Sequence, residues 1–559
     1  MQIVKLSVTV KAQLESKYGR TKLKKIETAR KGWIQADARR GIRTVHIAVD
    51  DPADKTMKEH DVPPVKVVNG RATAPDIKRA IDALWKPLAP DYLVLFGGDD
   101  VVPMFVVANP FDPSGENDWL PPRMREKVPT DNPYASSLRF RSKQRSSYLV
   151  PDRVIGRIPD RVGDDDPAWL VRYLNSAANW EPRSVDRYMK TYAISTYRSS
   201  RAAEKCMKYI ARPDSKLLLS PPVIDNWRST HRRLSARLHI IKCHGSRGDS
   251  KIYGQKRNCY PYAIKTETLR TYLKPATVVG TMCCYGAQIF SPAQAVDMRS
   301  KALAKELHAK PTRGGWPLAS AYLRDGALGF VGPTVTTYAG DSDMMSADWI
   351  VSAYLNSVLG GASIGRALQE SKQDYFRWLN QQGQAPGIEE ELSLIEYVLL
   401  GDPSITPVTY RLNKLIAPGP KIRLGAEEVQ ARRVARARLA HGLRNLLPER
   451  KPGTSAHRAR AKKLFTRAKA VKAKDDVKNI RRFKEFAIKP GAVHVEKLYT
   501  PLHVSRHPKK AAIKSRQSLQ YYWSGQRLSG DGQEQICLLK AETDPKTGKL
   551  WRTSVIHSS

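Results

Sequence analysis

At 559 residues and 41% hydrophobic composition, the chain is long enough for two or more domains and can bury a core, which excludes a wholly disordered protein. Its formal net charge of +41 favours acidic partners such as nucleic acid, anionic surfaces or acidic proteins, with a general basic bias as the plain alternative. Six cysteines without a CxxC pair argue against a structural zinc site and a disulfide scaffold, and so for a reducing compartment.

The opening Met1-Gln2-Ile3-Val4-Lys5-Leu6 lacks the apolar core of a signal peptide, and no apolar run approaches the ~20 residues of a membrane span. The expectation is a cytoplasmic protein. Residues 1–45 carry 12 Lys/Arg against 3 Asp/Glu, and residues 1–42 read as a basic, helical N-terminal segment. Thr44-Val45-His46-Ile47-Ala48-Val49 reads as a buried strand, a helix follows over 74–84, and Tyr92-Leu93-Val94-Leu95-Phe96 is an apolar run stopped by Gly97-Gly98-Asp99-Asp100. Apolar runs alternating with helices predict a parallel sheet covered on both faces.

After an irregular stretch over 109–147, the pattern resumes with a strand at Tyr192-Ala193-Ile194-Ser195 and a helix over 200–210 capped by Ser199 or Ser200. Two apolar runs then end in reactive residues. Leu238-His239-Ile240-Ile241-Lys242-Cys243 leads into His244-Gly245-Ser246, and Ala276-Thr277-Val278-Val279-Gly280-Thr281-Met282 leads into Cys283-Cys284-Tyr285-Gly286. Helices are expected over 292–309, 348–359 and 364–379, a strand over 326–332, and 391–400 leads into Gly401-Asp402-Pro403-Ser404. Composition then shifts, with 18 Lys/Arg against 5 Asp/Glu over 421–480 and basic helices expected over 431–447 and 459–473. Residues 495–559 read as a small separate unit with strands at Gln520-Tyr521-Tyr522-Trp523 and Ile536-Cys537-Leu538-Leu539.

Catalytic groups of open α/β sheets gather at the carboxyl ends of strands. A thiol and an imidazole on neighbouring strands there form a nucleophile and its base. The alternative for each motif alone is a strand-end histidine and core cysteines, since cysteine is commonly buried as a small hydrophobe. Asp99, Asp100 and Asp131 offer oxygens for a calcium ion, with turn-forming aspartates as the alternative.

Several motifs occur in a telling order. Tyr92–Asp99 with Pro103 comes first, then Thr130-Asp131-Asn132-Pro133-Tyr134 and Asp152-Arg153-Val154-Ile155-Gly156-Arg157-Ile158-Pro159. His244-Gly245-Ser246, Lys251-Ile252-Tyr253-Gly254, the Cys283-Cys284 motif, the 326–332 strand and Leu400-Gly401-Asp402-Pro403 follow. Together, over 43–412, they resemble the gingipain-like family of cysteine peptidases. The resemblance implies a caspase-like α/β fold, an open and mostly parallel sheet flanked by helices, here with a basic helical extension and a small C-terminal unit. The implied divisions are 1–42, an N-terminal α/β subdomain at 43–190, a catalytic subdomain at 191–412, the extension at 413–494 and the unit at 495–559.

It further implies peptide-bond hydrolysis by a Cys–His dyad, with His244 as base and acid and with Gly245 and the nucleophile's own amide as oxyanion donors. The nucleophile is Cys284 or Cys283. The spacing Cys284-Tyr285-Gly286 favours Cys284, and a Cys-x-x-Gly count back from Gly286 selects Cys283. Glu204 and Tyr253 are the expected substrate-pocket residues. The expected partner is a protein or peptide substrate. Nucleic acid or an acidic partner is expected at the basic segments 1–42 and 413–490, and the basic C-terminal tail, within 413–559, is also a candidate to cover the active-site cleft. The competing reading is a catalytically silent scaffold that uses its charge to dock such a partner.

Overall fold

The computed structural model describes residues 3–113, 120–160, 165–210, 216–225, 231–289 except 248, 317–409 except 383 and 385, and 439–558 except 442, 445–446, 448, 476–482, 484, 491–492, 503–513 and 529–533. Ten strands build the central sheet. Those of its first half are β1 (Ile3–Thr9), β2 (Ile42–Ala48), β3 (Tyr92–Phe96) and β4 (Val154–Ile158). Those of its second half are β5 (Thr191–Thr196), β6 (Leu218–Ser220), β7 (Leu238–Lys242), β8 (Thr277–Thr281) and β9 (Ala327–Pro333). A two-residue strand outside this sheet, β10 (Tyr338–Ala339), precedes the tenth member, β11 (Tyr397–Gly401).

The order across the sheet is β2-β1-β3-β4-β11-β9-β8-β7-β5-β6. All neighbours run parallel except β9 and β11, so the sheet consists of two parallel halves of opposite direction. The expected open, mostly parallel α/β sheet flanked by helices is what the chain forms. Strands β3, β7, β8, β9 and β11 are buried along their whole length, as continuous apolar runs covered on both faces must be.

The N-terminus departs from expectation. Residues 3–9 are not helical but form β1, which lies between β2 and β3, and the helix begins only at Lys11, running to Arg39. Val4, Leu6 and Val8 alternate with Lys5, Ser7 and Thr9, yet both faces are buried. The Lys5 ammonium is compensated by Asp37 at 2.5 Å and Asp402 at 2.6 Å, and Trp33 Nε1 donates to the same Asp402 carboxylate at 2.8 Å. The Gly401-Asp402-Pro403 motif is thus the counter-charge of the first strand.

Other expected elements are present with shifted ends. The helix expected over 74–84 spans Ala74–Leu88 with Thr73 as its cap, and the one expected over 200–210 spans Ser200–Tyr209 without a side-chain cap. Residues 391–400 divide into the end of a helix, Ile388–Glu396, and the strand β11. The helix expected over 292–309 and most of that over 431–447 lie outside the described residues.

Five further strands follow: β12 (Glu449–Pro452), β13 (Val493–Leu502), β14 (Lys514–Leu528), β15 (Glu534–Thr543) and β16 (Leu550–Ser558). With β10 they make an antiparallel sheet of order β10-β16-β15-β14-β13-β12. One face, with Tyr522, Ile536, Leu538 and Ile556, joins the core of the α/β region. The opposite face, with Leu519, Tyr521, Trp523, Cys537, Leu539 and Ala541, packs on Leu464, Phe465 and Ala468 of the helix Ser455–Asp475. This period of two is that of a sheet buried on both sides. The C-terminal sheet is therefore completed by a strand of the α/β region and shares its core.

Replacing Lys5 by Met leaves Asp37 and Asp402 buried together without their cation, a change of the kind that costs about 3–5 kcal/mol. We expect Lys5→Met to lower the thermal midpoint measurably, and an unchanged midpoint in calorimetry would refute the role given to this cluster.

Candidate active site

The carboxyl ends of β7 and β8 carry the two reactive motifs. These strands pair in parallel with Leu238 beside Val278 and Ile241 beside Thr281, and Met282 N–H donates to Ile241 O at 2.8 Å. Carried forward, that register sets Cys243 abreast of Cys283 and His244 abreast of Cys284. Gly245 reports how closely the two loops approach. A Cβ at this position would collide with the Cys284 carbonyl oxygen and stand 3.2 Å from Cys283 Cβ, so only glycine fits.

The two thiols have different surroundings. Cys283 is fully buried, and its Sγ points back at Ile241 O, 3.8 Å away. Cys284 Sγ accepts from Thr337 N–H at 3.4 Å and donates to Thr337 O at 3.7 Å, so the sulfur rests against the residue that precedes β10. Burial pushes both thiols up, Cys283 to about 11 and Cys284 to about 12. Directly after Cys284 the chain turns through Tyr285 with φ +58°, a left-handed conformation unusual for a large side chain. The turn is held by Gly286 N–H on Cys283 O at 3.0 Å and by Tyr285 OH on Glu126 at 2.7 Å.

His244 is fixed by backbone and side chain together. Its N–H and C=O exchange 2.9 Å hydrogen bonds with Tyr253. Its Nε2 lies 2.7 Å from Gln255 Oε1, while the Gln255 amide nitrogen donates to Tyr260 OH at 2.8 Å and to Arg257 O at 3.3 Å. Gln255 Oε1 at 2.7 Å calls for a hydrogen on Nε2 and the Gln535 amide nitrogen at 3.3 Å for a lone pair there; the shorter contact puts the hydrogen on Nε2 and the lone pair on Nδ1. Desolvation lowers the imidazole to about 4, so it is neutral near pH 7. Among the described residues, neither the Gly245 N–H nor the Cys284 N–H finds an acceptor, although both residues are buried. Unpaired buried amides are rare, and such donors are the groups that can meet a developing negative oxygen.

One buried carboxylate joins the walls of this site. Asp348 pairs with Lys242, the last residue of β7, at 2.5 Å, and its other oxygen accepts from Gly340 N–H at 2.7 Å and Met345 N–H at 3.1 Å. It therefore links the histidine strand to the turn that follows β10.

Sequence reasoning missed Gln255 and Asp348, and with them Arg198, Asp341, Gln535 and His557. The space beside His244 is a cavity of about 10 Å³ whose lining includes Arg198, Gln255, Asp341, Gln535 and His557. Its carboxylate is Asp341, bonded to Arg198 Nε at 2.9 Å and Ser199 Oγ at 2.8 Å. Neither expected pocket residue lines it: Glu204 is exposed on the helix Ser200–Tyr209, and Tyr253 turns its hydroxyl to Asp249 at 2.5 Å. The aspartates weighed for calcium have other roles. Asp131 takes a bidentate pair with Arg157 at 2.6 and 2.9 Å, Asp100 pairs with Lys17 at 2.7 Å, and Asp99 accepts from Met104 N–H at 2.7 Å. Among the described residues no group of three or more His, Cys, Asp or Glu side chains is placed to hold a metal.

No family model matches the chain, and no curated protein matches it in sequence. A solved structure named "Structure of Protease" superposes with a TM-score of 0.44 at 15% identity, over 74% of this chain and 82% of its own. No described helix is long and apolar enough to cross a membrane.

The buried histidines make stability depend on pH. His239 and His244 are both lowered to about 4 and His46 lies well below its ordinary value, all through desolvation. A neutral buried histidine gives its full stability above the unfolded value of about 6.5 and loses it as the pH falls from there toward the folded value. We expect the urea midpoint to drop between pH 7 and pH 5, and to drop less in His244→Gln; equal drops would show that His244 is not held neutral.

Proposed function

We propose that this chain is a cysteine peptidase of the gingipain-like type, with Cys284 as nucleophile and His244 as its base. The observation that carries the reading is the close approach of the two strand ends: β7 pairs with β8 as far as Ile241 beside Thr281, Gly245 next to His244 lies against the Cys284 carbonyl, and the Gly245 and Cys284 amides find no acceptor among the described residues. Cys283 belongs to the other face of the strand end, with Cys243 and the Ile241 carbonyl, which favours Cys284 over it.

In this reading the substrate carbonyl oxygen lies between the two amides and the carbonyl carbon faces Cys284 Sγ. His244 takes the thiol proton as the sulfur–carbon bond forms, and the charge that develops on oxygen is met by the two N–H groups. When the intermediate collapses, the carbon–nitrogen bond breaks and the imidazolium returns its proton to the departing amine. Water, deprotonated by His244, then hydrolyses the thioester and frees the thiol. Gln255 orients the imidazole and holds its hydrogen on Nε2. The pKa values support a neutral thiol–imidazole pair at rest, with proton transfer coupled to attack.

Labelling with a library of peptide electrophiles tests this reading. We expect Cys284→Ala and His244→Ala to lose turnover by at least 10³-fold, Gly245→Ala to lose most of it by displacing the Cys284 carbonyl, and Cys283→Ala to keep it. Turnover that survives Cys284→Ala but not Cys283→Ala would reverse the assignment. A chain that labels with no peptide, even with its thiol accessible, is the scaffold that the closed resting site otherwise resembles.

A further inference from the structure

The C-terminal sheet lies where a substrate would have to lie. A peptide whose carbonyl carbon faces Cys284 Sγ runs beside the backbone on which that sulfur rests, which is Thr337 followed by β10. An extended peptide binds such an exposed edge by adding a strand to it. That edge is already taken: β16 pairs antiparallel with β10, Tyr338 beside Ser558 and Ala339 beside His557. The next strand reaches the other half of the dyad. Gln535, near the start of β15, sets its amide nitrogen 3.3 Å from His244 Nε2, and its Oε1 accepts from Arg527 at 3.0 Å and Tyr260 OH at 2.9 Å. His557 lies against Arg198 at 3.1 Å and Asp341 at 3.7 Å, within the same cavity. The open space beside the imidazole is about 10 Å³, room for about one water and far too little for a peptide.

The sheet is fastened close by. Its Lys540 pairs with Glu389 at 2.7 Å and Glu390 at 3.4 Å, and Arg450 pairs with Glu391 at 2.9 Å, all on the first turn of the helix Ile388–Glu396. Tyr522, Ile536, Leu538 and Ile556 sit in the core of the α/β region. Detaching the whole sheet would break these contacts together, whereas peeling the end of β16 from the two residues of β10 breaks few.

We propose that β16 is an intramolecular occupant of the substrate strand position, with Gln535 of the neighbouring strand packed against the imidazole edge, so that the chain rests in a latent state and opens when the end of β16 leaves β10. This rests on the peptidase reading for its consequence, but opening can be read without catalysis. The full-length protein is treated with iodoacetamide, alkylation of Cys284 is followed by peptide mapping, and peptide turnover is measured in parallel.

Two variants bracket the wild type. His557→Pro removes a backbone donor from β16 where it faces Ala339. Ala339→Cys with His557→Cys places thiols on directly opposed residues, near enough to bridge. The second variant is made in a Cys537→Ser background, because Cys537 faces position 557 from β15. We expect His557→Pro to raise Cys284 alkylation and turnover at least tenfold. The oxidised double-cysteine variant should fall below wild type in both, with recovery on reduction, and this arm decides the matter even if the proline variant fails to fold.

Cys284 alkylation and turnover that the lock leaves at wild-type rates would overturn the proposal. Faster alkylation without turnover in any opened variant would keep the latch and sink the peptidase reading. Turnover dependent on Cys284 and His244 but indifferent to both changes would keep the peptidase and sink the latch.

Discussion

The site depends on one constraint, the parallel register of β7 on β8. A slip of one residue would exchange the two faces and set His244 beside Cys283, whose sulfur points back at Ile241 O. Two contacts outside the strands hold the register. Gly245 is pressed so closely on the Cys284 carbonyl that neither loop can shift alone, and Asp348 grips Lys242 at the end of β7 while capping the turn after β10. The residues of the proposed dyad lie in loops, but each loop is fixed by a buried partner on a neighbouring element. This is the preorganisation that an attack on a carbonyl requires.

Buried charge recurs as a fastening device. Lys5 with Asp37 and Asp402, Arg157 with Asp131, and Lys242 with Asp348 each tie a strand of the sheet to a segment distant in sequence. Arg157 also donates to the carbonyls of Gly97, Gly98 and Val102, which fixes the Gly-Asp turn after β3. Such pairs give little net stability compared with apolar replacements but are severe to break singly, so they act on which segment docks where. In a sheet of ten strands with two opposed directions, that choice of partner is the harder problem.

Much of this architecture was legible in the sequence wherever a segment was uniformly apolar. Tyr92–Phe96, Leu238–Lys242 and Thr277–Thr281 read as buried strands because their apolar pattern needs no partner to be recognised. The first strand was not legible, since Lys5, Ser7 and Thr9 alternate with apolar residues as on a solvated face, and only the distant Asp402 makes the burial of Lys5 tolerable. Gln255, Asp341 and Asp348 carry no spacing signal, because each is brought to the site by tertiary packing. The C-terminal sheet was hardest to place. Its strands were visible at 520–523 and 536–539, but its docking rests on a two-residue strand, Tyr338–Ala339, too short to register as an element.

The electrostatics of the closed site follow from the same docking. Both members of the dyad are shifted in the direction that disfavours charge, the thiol up to about 12 and the imidazole down to about 4, and in both the largest cause is removal from water. A thiolate–imidazolium pair is therefore disfavoured in this closed arrangement. Under the proposed opening, water reaching the two groups would relax both shifts, raising the imidazole and lowering the thiol toward their ordinary values. In the proposed peptidase, exposure of the sulfur to a peptide and its activation as a nucleophile would then be one event. A cover that worked only by blocking access would leave a reactive thiolate beneath it. A cover that also dries the site leaves an inert thiol, and this follows from burial alone, without any residue dedicated to inhibition.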